Sequence, residues 1–226
     1  MKNPLALAKV ELLARTQFRC IHGRDGLAHR RCYDLGESRT EEVLGFTDIE
    51  ASNLVATFGI CYTYCILSSR GELIKRTISL DDLYNGLYDK LLVQQFIVDA
   101  AKFDRLVFHY GENRRFDLPF MRTRAVYWKL SFPEYKSNFV SDTYPILKNR
   151  FRLHSNRLET ACDFFGIPSK GHKLKPSVWL KMITGNKKLM KEALKYILTH
   201  NIEDVYSLKA LWDKTNKYAR IGRTSI

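Results

Sequence analysis

One segment constrains the fold more than any other. Residues 43–53 read VLGFTDIEASN. Side chains of a strand alternate between its faces. Leu44, Phe46, Asp48 and Glu50 therefore share one face, and Val43, Gly45, Thr47 and Ile49 share the other. Both faces are apolar early in the segment, as in a central strand covered on two sides. A chain built around such a strand needs helices above and below a sheet, an α/β arrangement. Two carboxylates then emerge side by side at the strand's C-terminal end. Uncompensated, they repel each other and lose solvation. A divalent cation is the natural compensation; solvated acids at the end of a strand are the alternative.

The remaining pattern fills in the same architecture. Val55–Ser68 predicts a second strand, rich in β-branched and aromatic residues. Glu72–Ser79 predicts a third, forming a hairpin across Ser-Ser-Arg-Gly. Leu80–Phe103 carries apolar residues at helical spacing, and Arg105–Tyr110 reads as a short strand. A helix over Phe116–Tyr127 and a strand over Asn138–Ser141 follow. Helices are then expected near 156–165, 176–183 and 187–214. Ahead of this, residues 4–17 predict a short helix, and 18–40 a polar stretch with Gly23, Gly26 and Gly36. The expected division is an N-terminal helix with a Cys/His extension over 1–41 and an α/β domain over 42–226.

Two further acids stand out. In RLVFHYGENRRFDLPFM, Asp117 opens a helix among Phe116, Leu118, Pro119 and Phe120, so partial burial is expected. The alternative is an ordinary acid favoured by the helix dipole. On the last helix, Leu194, Ile197, Leu198, Val205, Leu208 and Trp212 form one apolar stripe at 100° per residue. His200 and Asp204, one turn apart, border that stripe, and Asp204 rather than Glu203 faces the core. A surface Asp–His hydrogen bond is the alternative reading.

Charge points the same way. Lys plus Arg number 37 against 24 Asp plus Glu, a net +13 that favours nucleic acid or another polyanion as partner. Lys170, His172, Lys173 and Lys175 form a basic loop. With Arg114, Arg115, Arg150 and Arg152 they are candidates for holding a nucleic-acid backbone, against the alternative of scattered solvated charge. No apolar run approaches the roughly 20 residues of a membrane span. The opening MKNPLALAKVELLAR is interrupted by Lys9 and Glu11 and makes a poor secretory signal. With an odd count of five cysteines, a reduced, cytoplasmic chain is expected, with no membrane partner.

In order and context these motifs resemble the DEDD family of 3′–5′ exonucleases, within the ribonuclease H-like superfamily. The likeness is to the branch with a predicted ribonuclease H-like domain found in bacteria and phages, and covers about residues 42–214. Asp48 and Glu50 match the Asp-Xaa-Glu motif on a strand. Phe116 and Asp117 match the motif at a helix start, and His200 and Asp204 the motif on the last helix. One departure stands at His200. One branch of the family has Tyr four residues before the final Asp, and the other has His five before; here a His occupies the Tyr spacing.

The resemblance implies a ribonuclease H-like mixed central sheet flanked by helices. It also implies two Mg2+ or Mn2+ ions gripping the attacking and leaving oxygens of a phosphodiester. Asp48 would bridge both ions, Glu50 and Asp204 would complete one site, and Asp117 would serve the other partly through water. His200 would deprotonate the attacking water or orient it. Single-stranded DNA or RNA with a free 3′ end would be cut to nucleoside 5′-monophosphates. Asp142, in VSDTYPIL, would play a supporting part, or simply cap a helix. The competing function is a nucleic-acid-binding module of the same fold that cuts little or not at all.

The segment CIHGRDGLAHRRC brings Cys20, His22, His29 and Cys32 into a short window, spaced as Cys-x-His and His-x2-Cys. These residues are candidate ligands for one structural zinc ion, although the spacing is not the common zinc-finger one; a polar loop with two thiols is the alternative. Cys61, Cys65 and Cys162 read as small core residues, and Trp128, Trp179 and Trp212 as core rather than base-stacking platforms.

Overall fold

The computed structural model describes residues 4–18, 20, 24–34, 42–111, 115–133, 137–168, 174–184 and 186–219, with backbone only for 4–7 and 31. Two helices, α1 (Pro4–Gln17) and α2 (Arg30–Asp34), precede the sheet. Strand β1 (Leu44–Ala51) is followed by β2 (Cys61–Ser68) and β3 (Leu73–Thr77). Helices α3 (Leu80–Tyr84) and α4 (Lys90–Ala100) lead to β4 (Arg105–Phe108), α5 (Asp117–Tyr127) and β5 (Phe139–Asp142). Helices α6 (Thr143–Arg150), α7 (Leu158–Phe164), α8 (Pro176–Ile183) and α9 (Lys187–Thr215) complete the chain as described.

The sheet runs in the order β3-β2-β1-β4-β5. β1 and β2 are antiparallel, as are β2 and β3, whereas β1–β4 and β4–β5 are parallel. β1 is therefore the central strand. This is the helix-covered sheet expected from the two apolar faces of β1, and the mixed sheet that the resemblance implied.

Each face has its own core. On one, Val43, Ile49, Tyr64, Ile66, Leu106 and Phe108 of the sheet pack with Val93, Phe96 and Met121 of α4 and α5. On the other, Phe46, Cys65, Leu67 and Val107 pack with Val205, Leu208 and Trp212 of α9. Helix α9 has 29 residues, about 43 Å at 1.5 Å per residue. Its first half, with Met190, Leu194 and Ile197, belongs to the first core and its second half to the other. The helix thus crosses the end of the sheet, and His200, Asn201 and Asp204 lie at the crossing. Cys61, Cys65, Cys162 and Trp212 are buried, as expected of core residues, while Trp128 and Trp179 are half-buried.

The structure differs from the sequence pattern where α2 falls in the expected polar stretch and α6 in a segment with no expected helix, and in two expected elements. The second strand starts at Cys61 rather than Val55. The Asn53 side chain accepts the Val55 N–H at 2.8 Å, and the Phe58 and Gly59 N–H groups close onto the Val55 carbonyl. Those local bonds hold the segment in a turn despite its strand-like composition. The predicted helix over 80–103 is two helices, because Gly86 (φ +75°) and Tyr88 (φ +46°) adopt left-handed backbone between them.

Candidate active site

The acids gather at the C-terminal end of β1. Pairing with β2 slips by one residue between Glu50 and Ala51, and such irregularities re-aim side chains. Glu50, His200 and Asp204 each present a ligand atom within 4.8 Å of the others. The His200 Nε2 lies 3.7 Å from Glu50 Oε1 and 3.7 Å from Asp204 Oδ2. The imidazole therefore sits between a strand carboxylate and a helix carboxylate, all three largely shielded from solvent.

Asp48 is fixed from the same helix. Asn201 Nδ2 donates to Asp48 Oδ2 at 2.6 Å. Asn201 is fully buried, and its Oδ1 has no hydrogen-bond partner among the described residues. Sequence reasoning missed this residue, although the signal was present. Asn201 stands four residues from both Ile197 and Val205, inside the apolar stripe, and a polar side chain there needs a partner.

Asp117 approaches from α5. Its Oδ1 accepts the N–H of Ile49, the residue between Asp48 and Glu50, at 3.0 Å. The turn before α5 is tight: Phe116 N–H bonds the Tyr110 carbonyl and Leu118 N–H the Gly111 carbonyl. Tyr110 has φ +68° there, an uncommon conformation for a bulky residue. A Cβ on Gly111 would lie 2.6 Å from Asp117 Oδ2, so only glycine leaves room for the carboxylate. Burial pushes the Asp117 carboxyl up to about 7, opposed by the Ile49 N–H and reinforced by the charges of Asp142 and Asp204. Burial likewise raises the Cys65 thiol, which faces Asp48 across the β1–β2 pair and feels its charge.

Asp142 stands behind this turn. It caps α6 by accepting the Tyr144 N–H at 2.8 Å. The same oxygen accepts the Tyr110 N–H at 2.9 Å, and its other oxygen bonds Arg115 at 3.1 Å. One side chain thus caps α6 and also holds Tyr110 in the turn that leads to Asp117. Arg115, tied to Asp142, also lies over the Tyr144 ring. Lys175 is exposed at the start of α8, and Arg150 and Arg152 are exposed at and just beyond the end of α6. Arg114, Lys170, His172 and Lys173 lie outside the described residues.

The donor set fits hard divalent cations. Glu50 and Asp204 supply carboxylate oxygens within reach of one ion, with Asp48 and Asp117 held on the same strand end. The raised Asp117 carboxyl reflects poorly solvated charge that a cation would relieve.

Fold and site together define an α/β protein of the ribonuclease H-like class, with an acid cluster at the end of its central strand. A sequence model of the RNase H superfamily matches residues 45–216, and the chain belongs to that superfamily. Membership supports nuclease activity in general, and nucleases of this class usually use divalent metals. Among solved structures, the chain is similar to the family B DNA polymerase from the hyperthermophilic archaeon Pyrobaculum calidifontis. The TM-score is 0.60 at 16% identity, over 77% of this chain and 24% of the polymerase. At that identity the likeness establishes the fold, and the chain spans about a quarter of the polymerase's length. No curated protein matches the chain. No helix among the described residues is long and apolar enough to cross a membrane.

Proposed function

We propose that this protein is a metal-dependent 3′–5′ exonuclease of single-stranded DNA or RNA that releases nucleoside 5′-monophosphates. The observation that carries the reading is the convergence of Glu50, His200 and Asp204 within 4.8 Å. Asp48 stands on the same strand and is held by Asn201, and Asp117 is bonded to that strand through the Ile49 N–H. The 3′–5′ polarity rests on the order of the motifs carrying these residues.

Asp48, Glu50, Asp117 and Asp204 would hold two Mg2+ or Mn2+ ions. When bound, such ions stabilise charge on both the attacking and the leaving oxygen of an in-line displacement. The chain's own part is positioning and proton transfer. Asn201 orients Asp48, and the Ile49 N–H orients Asp117. His200, between Glu50 and Asp204, accepts the proton of the attacking water. Its placement at the Tyr spacing does not remove it from the acids. Arg115, together with Arg114, Lys170, Lys173 and Lys175, would contact the substrate backbone. In this reading residues 42–226 form the exonuclease domain and 1–41 an appended unit.

The test uses 5′-labelled single-stranded DNA and RNA with Mn2+, Mg2+ or EDTA, with Asp48→Ala alongside. A metal-dependent ladder shortening from the 3′ end, absent in the variant, is the expected result. Internal cuts alone would replace exonuclease by endonuclease. Salt-sensitive binding without cleavage under any condition would favour the binding-module reading.

A further inference from the structure

A second cluster of metal-ligating side chains lies in the N-terminal unit, on elements other than those that build the acid site. Cys20, His29 and Cys32 are buried, and their ligand atoms all lie within 4.8 Å of one another. Cys20 Sγ stands 3.5 Å from His29 Nδ1. Zinc bound at about 2.3 Å to sulfur and about 2.0 Å to nitrogen in a tetrahedron sets those two atoms about 3.5 Å apart. The observed separation is within about 0.1 Å of that. Neither Cys20 nor Cys32 is joined by a disulfide among the described residues.

The backbone around the cluster is arranged to return His29 to Cys20. Cys20 N–H bonds the Arg24 carbonyl, and Gly26 N–H bonds the Arg15 carbonyl. Asp25 accepts the N–H groups of Leu27 and Ala28, and its carbonyl accepts that of His29. Hydrophobic burial does little for this unit, since Val10, Leu12 and Leu13 of α1 are all more than half exposed. A segment this small needs another source of cohesion, and a structural metal is the usual substitute for a core.

We propose that Cys20, His29 and Cys32 bind one zinc ion, which pins the N-terminal unit to the edge of the sheet. Two thiolates and an imidazole are soft to borderline donors and suit zinc rather than the hard cations expected at the carboxylates. Three protein ligands leave the fourth tetrahedral position to a further donor, water included. The attachment point is β5, the edge strand: the His29 ring packs on Phe139 with centroids 4.4 Å apart. His22, the other expected ligand, lies outside the described residues.

The full-length protein, purified under reducing conditions, is assayed for metal by mass spectrometry and then reconstituted with Co2+. The expected result is about one zinc per chain and, with Co2+, a thiolate-to-metal charge-transfer band in the near ultraviolet. Carboxylate-bound cobalt gives no such band, so the readout is independent of the acid site and of nuclease activity. Asp48→Ala should retain both signals, and Cys20→Ser and Cys32→Ser should lose them. Should the serine variants fail to fold, His29→Cys decides: it keeps three ligands, and its cobalt band should intensify. Zinc-free protein that gives no thiolate band with Co2+ while its thiols remain reduced would overturn the proposal. So would iron in place of zinc, or zinc content unchanged in Cys20→Ser.

Discussion

Asn201 donates a hydrogen bond of 2.6 Å to Asp48, across 153 residues of sequence. It links the long helix α9 to the first acid of the central strand. It also ties the position of His200, its neighbour in sequence, to that of Asp48. The acid pair of β1 and the His–Asp pair of α9 therefore form one unit rather than two motifs that happen to meet.

Removing this link should separate positioning from ligation. Asn201→Ala keeps every carboxylate in the chain but removes a hydrogen bond that orients Asp48. The loss of a buried polar partner costs about 1–3 kcal/mol of stability. Activity should fall at least tenfold at limiting Mn2+ and recover in part as the metal is raised. Metal-titrated nuclease assays beside urea denaturation check both effects. Unchanged metal dependence would show that Asn201 only fills space.

His200 gives a prediction with a pH signature. An imidazole must be neutral to accept a proton, so catalysis through His200 as base should give the rate an ascending limb with pH. His200→Ala should lose roughly 10²- to 10⁴-fold in kcat and lose that ascending limb. His200→Tyr restores the residue type found at this spacing in the resembled branch. It should regain part of the rate without regaining the limb. A wild-type limb retained in both variants would assign it to another group.

Asp117 predicts a conflict between stability and function. Its carboxyl is raised from 3.8 to about 7, first by burial and then by the charges of Asp142 and Asp204. The folded protein therefore keeps a proton that the unfolded chain has released, and stability falls as pH rises through this window. In metal-free protein, Asp117→Asn keeps an acceptor for the Ile49 N–H but removes the buried charge. Above pH 7 the variant should be more stable than the wild type, on the order of a few kcal/mol, and so melt at a higher Tm, and the gap should narrow toward pH 4. The same variant should be inactive. Thermal melts in EDTA at several pH values decide it, and a gap that is constant with pH would place the effect elsewhere.

What the sequence revealed, and what it hid, follows from how each feature is encoded. Strand β1 and helix α9 were legible because a long apolar period fixes which side chains face inward. Asp48, Glu50 and Asp204 could be placed on their faces by counting alone. The turn at 52–60 was not legible, because side-chain and backbone bonds from Asn53 and Val55 override a strand-like composition. Asn201 was visible only as an anomaly, a polar residue within the stripe whose partner lies on a distant strand. The double part played by Asp142 was half-legible: the cap is local, whereas the bonds to Tyr110 and Arg115 depend on β4 and β5 being neighbours.

Gly111 carries the sharpest geometric prediction. A methyl group there would lie 2.6 Å from Asp117 Oδ2 and 2.6 Å from Phe108 Cβ. Neither neighbour is the far end of a flexible chain: one is a carboxylate anchored on Ile49, and the other sits on a buried strand. Gly111→Ala must therefore push Asp117 off β1 or distort the turn from Tyr110. Overpacking of this kind costs about 1–3 kcal/mol, too little on its own to unfold a typical domain. Activity should drop far more than stability, by a hundredfold or more, because displacements of about 1 Å at a reacting centre have that effect. Activity assays and melting curves on the same preparation test this. Equal, modest losses in both would mean that the turn relaxes without moving Asp117.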